Sequence, residues 1–162
     1  MRLGAGIVGA MILVLPVEAA ETDPRIAAFG FEFVNTSLAP STPEELDRLH
    51  RLDNQLKAAL AEPGRYSPID TAPLNDKLAA LPSIRNCNGC ELDLAQSLGA
   101  PYVAYGWVQK VSNLILNVNL VIKDTASGKT VRADSVDLRG NTDESWQRGL
   151  RYLINERLFR KP

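Results

Sequence analysis

Apolar and polar residues alternate along this chain with periods that change from strand-like to helix-like. A mostly apolar, aromatic-rich run over 26–34 predicts a strand buried on both faces. Thr42, Pro43 and Glu45 then form the pattern of a capping box with proline at the first helical position. The leucines that follow recur at helical spacing and predict a helix with one core-facing stripe: Leu46, Leu49, Leu52, Leu56 and Leu60.

Shorter elements occupy the middle of the chain. The pattern predicts a short strand over 66–71 and a short helix over 73–81, which Pro82 closes. A second helix is predicted over 90–98, because Gly99 supplies a C-terminal stop directly after its last apolar residue.

The last part of the chain reads as three strands and a helix. An apolar run over 102–108 predicts another buried strand, and residues 114–123 alternate between apolar and polar positions. A turn at Ser127-Gly128 predicts that 130–139 returns as the next strand. A capping box over 141–144 opens the final helix, whose buried side is predicted to be Trp146, Leu150, Leu153, Ile154 and Leu158.

The resulting order of elements is β-α-β-α-α-β-β-β-α. That order predicts a single α/β domain, with a mixed sheet of about five strands and helices packed on it. Trp107 and Trp146 stand in phase with their apolar neighbours, so we expect both indole rings to be buried. No repeat or composition break divides the chain, and we expect one domain over residues 20–162.

Residues 1–19 have the pattern of a secretory signal. Arg2 is followed by an apolar run to Val17, and Val17-Glu18-Ala19 supplies small residues at the −3 and −1 positions of a cleavage site. The run is shorter than the roughly 20 residues a transmembrane helix needs, so cleavage is favoured over an uncleaved membrane anchor. We therefore predict a periplasmic, secreted protein that begins near Ala20 and has no stable membrane insertion.

Several stretches resemble known families. Residues 98–103 (LGAPYV), followed by 106–108 (GWV), are similar to a signature of the TolB amino-terminal domain and of the curli-secretion assembly protein. Cys87-x-x-Cys90, 108–113 and 139–146 resemble an uncharacterised family of secreted proteobacterial proteins. The resemblance spans roughly residues 25–159 and implies a small periplasmic α/β domain with an open mixed sheet.

Charge and ionisable residues narrow the range of functions. The net charge is −1 and no long basic run occurs, which argues against a nucleic-acid partner. His50 is the sole histidine, so a catalytic triad is disfavoured. No calcium-loop pattern is present, and we predict neither a metal site nor a cofactor.

Cys87-Asn88-Gly89-Cys90 carries both cysteines of the chain. In an exported protein we expect them to be oxidised to a disulfide. The position before a helix suits a structural bond that pins the turn, and it also suits a thiol–disulfide oxidoreductase. Glu91 stands where a haem attachment site needs histidine, and a zinc site needs more ligands than the motif supplies.

Polar residues cluster at the start of the last helix and at the tip of the hairpin before it. They match helix capping, and they also match a surface that binds an anion or a partner carbonyl. The candidate binding surface comprises Gln109, Lys110, Ser112, Asn113, Asn141, Thr142, Asp143 and Ser145. Asn117 and Asn119 lie on a polar sheet face, which is either solvated or reserved for a partner.

The function favoured by the sequence is a non-enzymatic periplasmic accessory protein that binds another protein or component of the cell envelope. A thiol–disulfide oxidoreductase using Cys87 and Cys90 is the alternative from a different class. The family resemblance implies a third alternative, a small-molecule or metal carrier accessory to a periplasmic oxidation system.

Overall fold

Five strands form one mixed sheet in the computed structural model, which describes residues 22–160. In chain order the strands are β1 (Arg25–Asn35), β2 (Ser67–Pro68), β3 (Tyr102–Lys110), β4 (Leu116–Asp124) and β5 (Thr130–Leu138). Across the sheet their order is β2-β1-β3-β4-β5. β1 is parallel to β2 and β3, whereas β4 is antiparallel to β3 and to β5. The prediction of a mixed sheet is confirmed.

The helices also occur in the predicted order. They are α1 (Pro43–Leu60), α2 (Asn75–Ala80), α3 (Cys90–Ser97) and α4 (Asp143–Tyr152). A 3₁₀ turn precedes α2, and a π-helical segment over Leu153–Leu158 continues α4. The strand predicted over 66–71 is only two residues long, and one of the two is Pro68, which lacks the amide that would extend the ladder.

Both long helices begin at a threonine cap. Thr42 Oγ1 accepts a hydrogen bond from the Glu45 amide at 3.3 Å, and Glu45 Oε2 accepts one from the Thr42 amide at 3.0 Å, so the predicted capping box of α1 is confirmed. At α4 the cap is Thr142, whose hydroxyl accepts from the Ser145 amide at 3.2 Å. The predicted start at residue 141 is therefore one residue too early.

The main core lies between one face of the sheet and the pair α1 and α4. Trp146 lies within it at 1% exposure, as predicted. A smaller cluster on the opposite face joins α3 to the first halves of β1 and β3: Ala27, Ala95, Ala100 and Val103. Trp107 belongs to that opposite face and is only half-buried, because α3 ends before it covers this part of the sheet. The expectation of a buried tryptophan is confirmed in full for Trp146, whereas Trp107 is only partly buried.

A bulge interrupts β1 between Ala28 and Phe31. Gly30 has a φ of +78°, which residues other than glycine disfavour. A Cβ at this position would also lie 2.6 Å from Asp53 Oδ1, so both the backbone conformation and the available space require glycine. The Phe31 amide, which the bulge removes from regular pairing, donates to Asp53 Oδ1 at 2.8 Å. The Asp53 carboxylate on α1 thus accepts the hydrogen bond that the Phe31 amide cannot make within the sheet.

None of the helices within residues 22–160 is long and apolar enough to cross a membrane. The predicted signal sequence over 1–19, its cleavage site and the start of the domain at residue 20 lie outside the described residues.

Candidate functional site

Three connections meet at one end of the sheet, which we call the hairpin end: the β1–α1 loop (36–42), the β3–β4 turn (111–115) and the β5–α4 loop (139–142). The amide and the hydroxyl of Thr36 both donate to the Lys110 carbonyl, at 2.8 and 3.0 Å. Asn141 Nδ2 lies 3.4 Å from Asn113 Oδ1. The fold therefore brings the hairpin tip and the start of α4 together, as the candidate surface required.

A buried ion pair forms the floor of the hairpin end. Lys110 Nζ donates to Glu45 Oε1 at 2.5 Å, and Asn141 Nδ2 donates to the same oxygen at 2.6 Å. Burial alone would raise the pKa of Glu45, but the hydrogen bonds from Lys110, the Thr42 amide and Asn141 together lower it. The carboxylate therefore stays ionised and ties the start of α1 to β3 and to the β5–α4 loop.

Both the oxygen and the nitrogen of the Asn141 carboxamide make hydrogen bonds. Its Oδ1 accepts from Trp146 Nε1 at 3.0 Å and from the Arg48 guanidinium at 3.2 Å, while its Nδ2 serves Glu45. Lys110 is withdrawn further, at 2% exposure. Placing Lys110 on a binding surface is therefore wrong, because its ammonium group is buried against Glu45. Asn141 stays partly exposed, but its carboxamide already bonds within the protein.

Thr142, Asp143 and Ser145 lie at the start of α4 but are tied mainly to the protein itself. Thr142 and Ser145 form the cap described above. Asp143 pairs with Arg48 at 2.7 Å and with Arg51 at 3.1 Å, and the Arg48 hydrogen bond is the main cause that lowers the pKa of Asp143. These contacts fasten α4 to α1.

Gln109, Ser112 and Asn113 complete the set of candidate residues. Gln109 pairs in register with Asn117, on the face of β3 opposite to Lys110, and so lies apart from the hairpin end. Ser112 Oγ accepts from the amides of Leu114 and Ile115, at 3.2 and 3.1 Å, and shapes the turn. Asn113 is exposed at the tip.

The exposed part of the hairpin end is apolar rather than polar. Leu114 and Ile115 are 81% and 61% exposed at the turn, and Val111 and Leu38 are exposed beside them or in the neighbouring loop. Leu114 and Ile115 also line a cavity of about 530 Å³, together with the first residue of β4 and with residues at and after the end of β5: Leu116, Asp137, Leu138, Arg139 and Gly140. Large apolar side chains on a loop tip are typical of an interaction surface.

Sequence reasoning missed this apolar tip. The alternation predicts a strand that starts at Leu114, where an apolar residue needs no explanation. In the structure this strand begins only at Leu116. The signal available was the run Leu114-Ile115-Leu116 directly after the turn residues Ser112 and Asn113. Two adjacent apolar residues next to a turn cannot both face the core of a strand.

Cys87 and Cys90 are joined in a disulfide directly before α3. Cys87 Sγ lies 3.5 Å from Glu91 Oε2, and Glu91 is buried and paired with Lys123 Nζ at 2.6 Å. A carboxylate beside the sulfur would repel a thiolate, which is the reactive form of cysteine. The surroundings therefore favour a structural bond over a catalytic one.

Cys87, Cys90 and Glu91 form a group of potential metal ligands. Within residues 22–160 no other set of three or more His, Cys, Asp and Glu side chains has its ligand atoms within 4.8 Å of one another. The two sulfurs of the group are already bonded to each other, which leaves only Glu91 as a ligand. His50 is exposed on α1.

The sequence matches the model of one protein family. The model of the family DUF3280, described as "Protein of unknown function (DUF2380)", matches residues 24–158. Among curated proteins, none matches the sequence.

Solved structures share the fold at low sequence identity. The LpoB C-terminal domain from Salmonella enterica is 12% identical, with a TM-score of 0.54 over 75% of this chain and 87% of that one. Lipoprotein GNA1162 from Neisseria meningitidis is 15% identical, with a TM-score of 0.53 over 74% and 82%. TolB from Acinetobacter baumannii is 16% identical over 85% of this chain and 29% of that one, at a TM-score of 0.44. The first two establish a shared fold.

Proposed function

We propose that this chain, which belongs to the DUF3280 family, is a periplasmic accessory protein that binds another component of the cell envelope. The binding surface is the hairpin end, and the partner is an envelope protein. The observation that carries the proposal is the exposure of Leu114 and Ile115 on a turn whose base is held by buried ionic contacts. A rigid base lowers the entropy lost on binding, which makes such a tip an effective anchor.

Residues 1–19 support the periplasmic location, because they have the pattern of a cleaved secretory signal. The fold is shared with a protein named a lipoprotein, which is in keeping with that location. Amino-terminal sequencing of the exported protein tests this part of the proposal. A mature terminus near Ala20 in the periplasmic fraction supports it, and an intact Met1 in the membrane fraction overturns it.

The binding role is tested with Leu114→Ser/Ile115→Ser and a matched control, Val131→Ser. Val131 is also exposed but lies on the edge strand β5, away from the hairpin end. Proteins cross-linked to the exported chain are identified, and the candidate partner is then purified and titrated against each variant. We expect at least a tenfold loss of affinity for the double variant, about 1.4 kcal/mol, and none for the control. Equal affinities for all three proteins would exclude the hairpin end.

A further inference from the structure

The uncovered half of the sheet carries six side chains in two rows, on the face opposite to α1 and α4. Trp107, Asn119 and Ser135 stand side by side in register across β3, β4 and β5, and Gln109, Asn117 and Asp137 form the next row. We call these six residues the amide platform. Neighbouring strands are about 4.8 Å apart, so each row spans roughly 10 Å.

Two amides of the platform hold each other in a fixed orientation. Asn119 Nδ2 donates to Asn117 Oδ1 at 2.6 Å and to the Trp107 carbonyl at 3.3 Å. Asn119 Oδ1, Asn117 Nδ2 and the Gln109 carboxamide make no hydrogen bond to any residue between 22 and 160. The oxygen of Asn119 and the amide group of Asn117 are thus held in place and left free to bind, and the Gln109 carboxamide lies in the same row as Asn117.

The open face of β4 calls for polar side chains, but strand propensity does not favour asparagine among them. Asparagine is disfavoured in strands, yet two of them occupy the middle of β4, a strand paired on both sides. The opposite face of the same strand is fully apolar, as a buried strand should be: Leu116, Val118, Leu120 and Ile122. The amides therefore reflect a requirement of that surface.

Trp107 supplies an aromatic surface beside the amides. Its ring is half-buried, and the Arg85 guanidinium lies 5.4 Å from its centre while also standing 3.7 Å from Glu32 Oε2. Within the described chain its indole N–H has no hydrogen-bond partner, unlike that of Trp146, which is bonded to Asn141. A ring with a free donor combines apolar contact area with a polar group.

Charge selects the class of ligand. Asp137 is the one charged residue among the six. Glu32, which pairs in register with Trp107, is offset by Arg85, so the surface keeps a small negative charge and disfavours anionic polymers. A protein partner would call for a central apolar cluster, but Trp107 is the sole apolar member. Amides, a hydroxyl and an aromatic ring instead match a neutral chain that carries hydroxyl and acetamido groups.

We propose that the amide platform binds a neutral glycan of N-acetylated sugars. A sugar ring stacks on Trp107, and the acetamido and hydroxyl groups bond to Asn117, Asn119 and Gln109. The platform shares Asp137 with the cavity beside Leu114 and Ile115, but the residues that bind the sugar, Trp107, Gln109, Asn117 and Asn119, do not line that cavity.

Tryptophan fluorescence reports on this site because Trp146 is 1% exposed and Trp107 is half-buried. The exported chain is titrated with soluble hexamers of N-acetylglucosamine. We expect a saturable emission change that disappears in Trp107→Phe, and at least a tenfold weaker affinity for Asn117→Ala/Asn119→Ala, measured by calorimetry. Leu46→Ser, an exposed change on α1 on the other side of the sheet, serves as the control and should bind the sugar normally.

Two further ligands decide the specificity. Glucose hexamers lack the acetamido group, and hyaluronate carries it together with negative charge, so both should bind at least tenfold more weakly. The proposal is overturned if N-acetylglucosamine hexamers do not bind, if glucose hexamers or hyaluronate bind equally well, or if the folded asparagine variant keeps its affinity. It is also overturned if that variant loses only the protein partner, which would assign the platform to protein binding.

Discussion

Lys110 Nζ and Glu45 Oε1 are 2.5 Å apart, and their side chains are 2% and 1% exposed. Their residues are separated by 65 positions in the chain, and the pair joins the end of β3 to the first turn of α1. Buried ion pairs are seldom the most stable option for a core, but losing one partner leaves an uncompensated charge. The pair therefore makes the geometry of the hairpin end sensitive to a single substitution.

Lys110→Met should lower the free energy of unfolding by about 3–5 kcal/mol, because Glu45 then stays buried without its cation. In Lys110→Met/Glu45→Gln both charges are gone, and the glutamine oxygen keeps an acceptor for the Thr42 amide and for Asn141, so most of the stability should return. Urea unfolding of the two single variants and the double variant gives the coupling energy. Additive losses from the two single variants would show that the pair does not act as a unit.

Asp53→Asn should stabilise the protein at neutral pH. Burial is the main cause that raises the pKa of Asp53 to about 6, above the ordinary 3.8, against the opposing effect of the Phe31 amide. The Asp53 carboxyl therefore binds a proton more readily in the folded state than in the unfolded state. As a result, the free energy of unfolding of the wild-type protein rises as the pH falls from about 6 to 3.8. Asparagine keeps the acceptor for Phe31 and removes the buried charge.

The measurement is urea unfolding of both proteins between pH 7.5 and 3.8. The variant should be more stable at pH 7.5 by up to about 3 kcal/mol, since one pKa unit corresponds to about 1.4 kcal/mol. The difference should vanish towards the acid limit. Asp47→Asn, an exposed change on the same helix, is the control and should alter stability little. A less stable Asp53→Asn at pH 7.5 would contradict the prediction.

Trp146→Ala and Trp107→Ala should differ in their effect on stability. Trp146 is fully buried and its indole N–H is bonded to Asn141, so we expect a loss of about 3–5 kcal/mol. Trp107 is half-buried on the open face, so its replacement should cost less than half as much. Urea unfolding checks both values, and equal losses would mean that the open face is covered in solution.

The difference between the two tryptophans shows what periodicity can predict. Alternation identified the buried face of β4, because that pattern is local. Leucine spacing identified the core face of α1 from Leu52 to Leu60, whereas Leu46, predicted on the same stripe, is 48% exposed. In β3 apolar residues occur on both faces, and the sequence does not indicate where α3 stops covering one of them. Trp107 therefore looked as buried as Trp146.

The candidate site shows the same limit. The sequence predicts a polar surface from Gln109, Lys110, Ser112 and Asn113 together with Asn141, Thr142, Asp143 and Ser145, and the fold brings the hairpin tip and the start of α4 together. Whether Lys110 and Asn141 face outward depends on Glu45, a residue far away in the chain that local patterns identify only as part of a helix cap. The exposed apolar turn was missed because the strand starts later than its alternation suggests.

The redox potential of the disulfide distinguishes a binding protein with a structural bond from a thiol–disulfide oxidoreductase. Closing a loop of this length should stabilise the protein by about 2 kcal/mol, so Cys87→Ser/Cys90→Ser should lower the free energy of unfolding by that amount and leave binding at the hairpin end intact. Because the Glu91 carboxylate lies beside Cys87, we expect the bond to resist reduction, with a potential below about −270 mV, the value of thioredoxin.

A glutathione redox titration with thiol trapping measures that potential, and Glu91→Gln is the matched variant. Removing the carboxylate should make a Cys87 thiolate easier to form and the bond easier to reduce, if the negative charge is what protects it. A labile bond in the wild-type protein, together with an accessible thiolate at Cys87 in mildly acidic solution, would instead favour a thiol–disulfide oxidoreductase. The position of Glu91, buried and held by Lys123, is the structural reason to expect the stable bond.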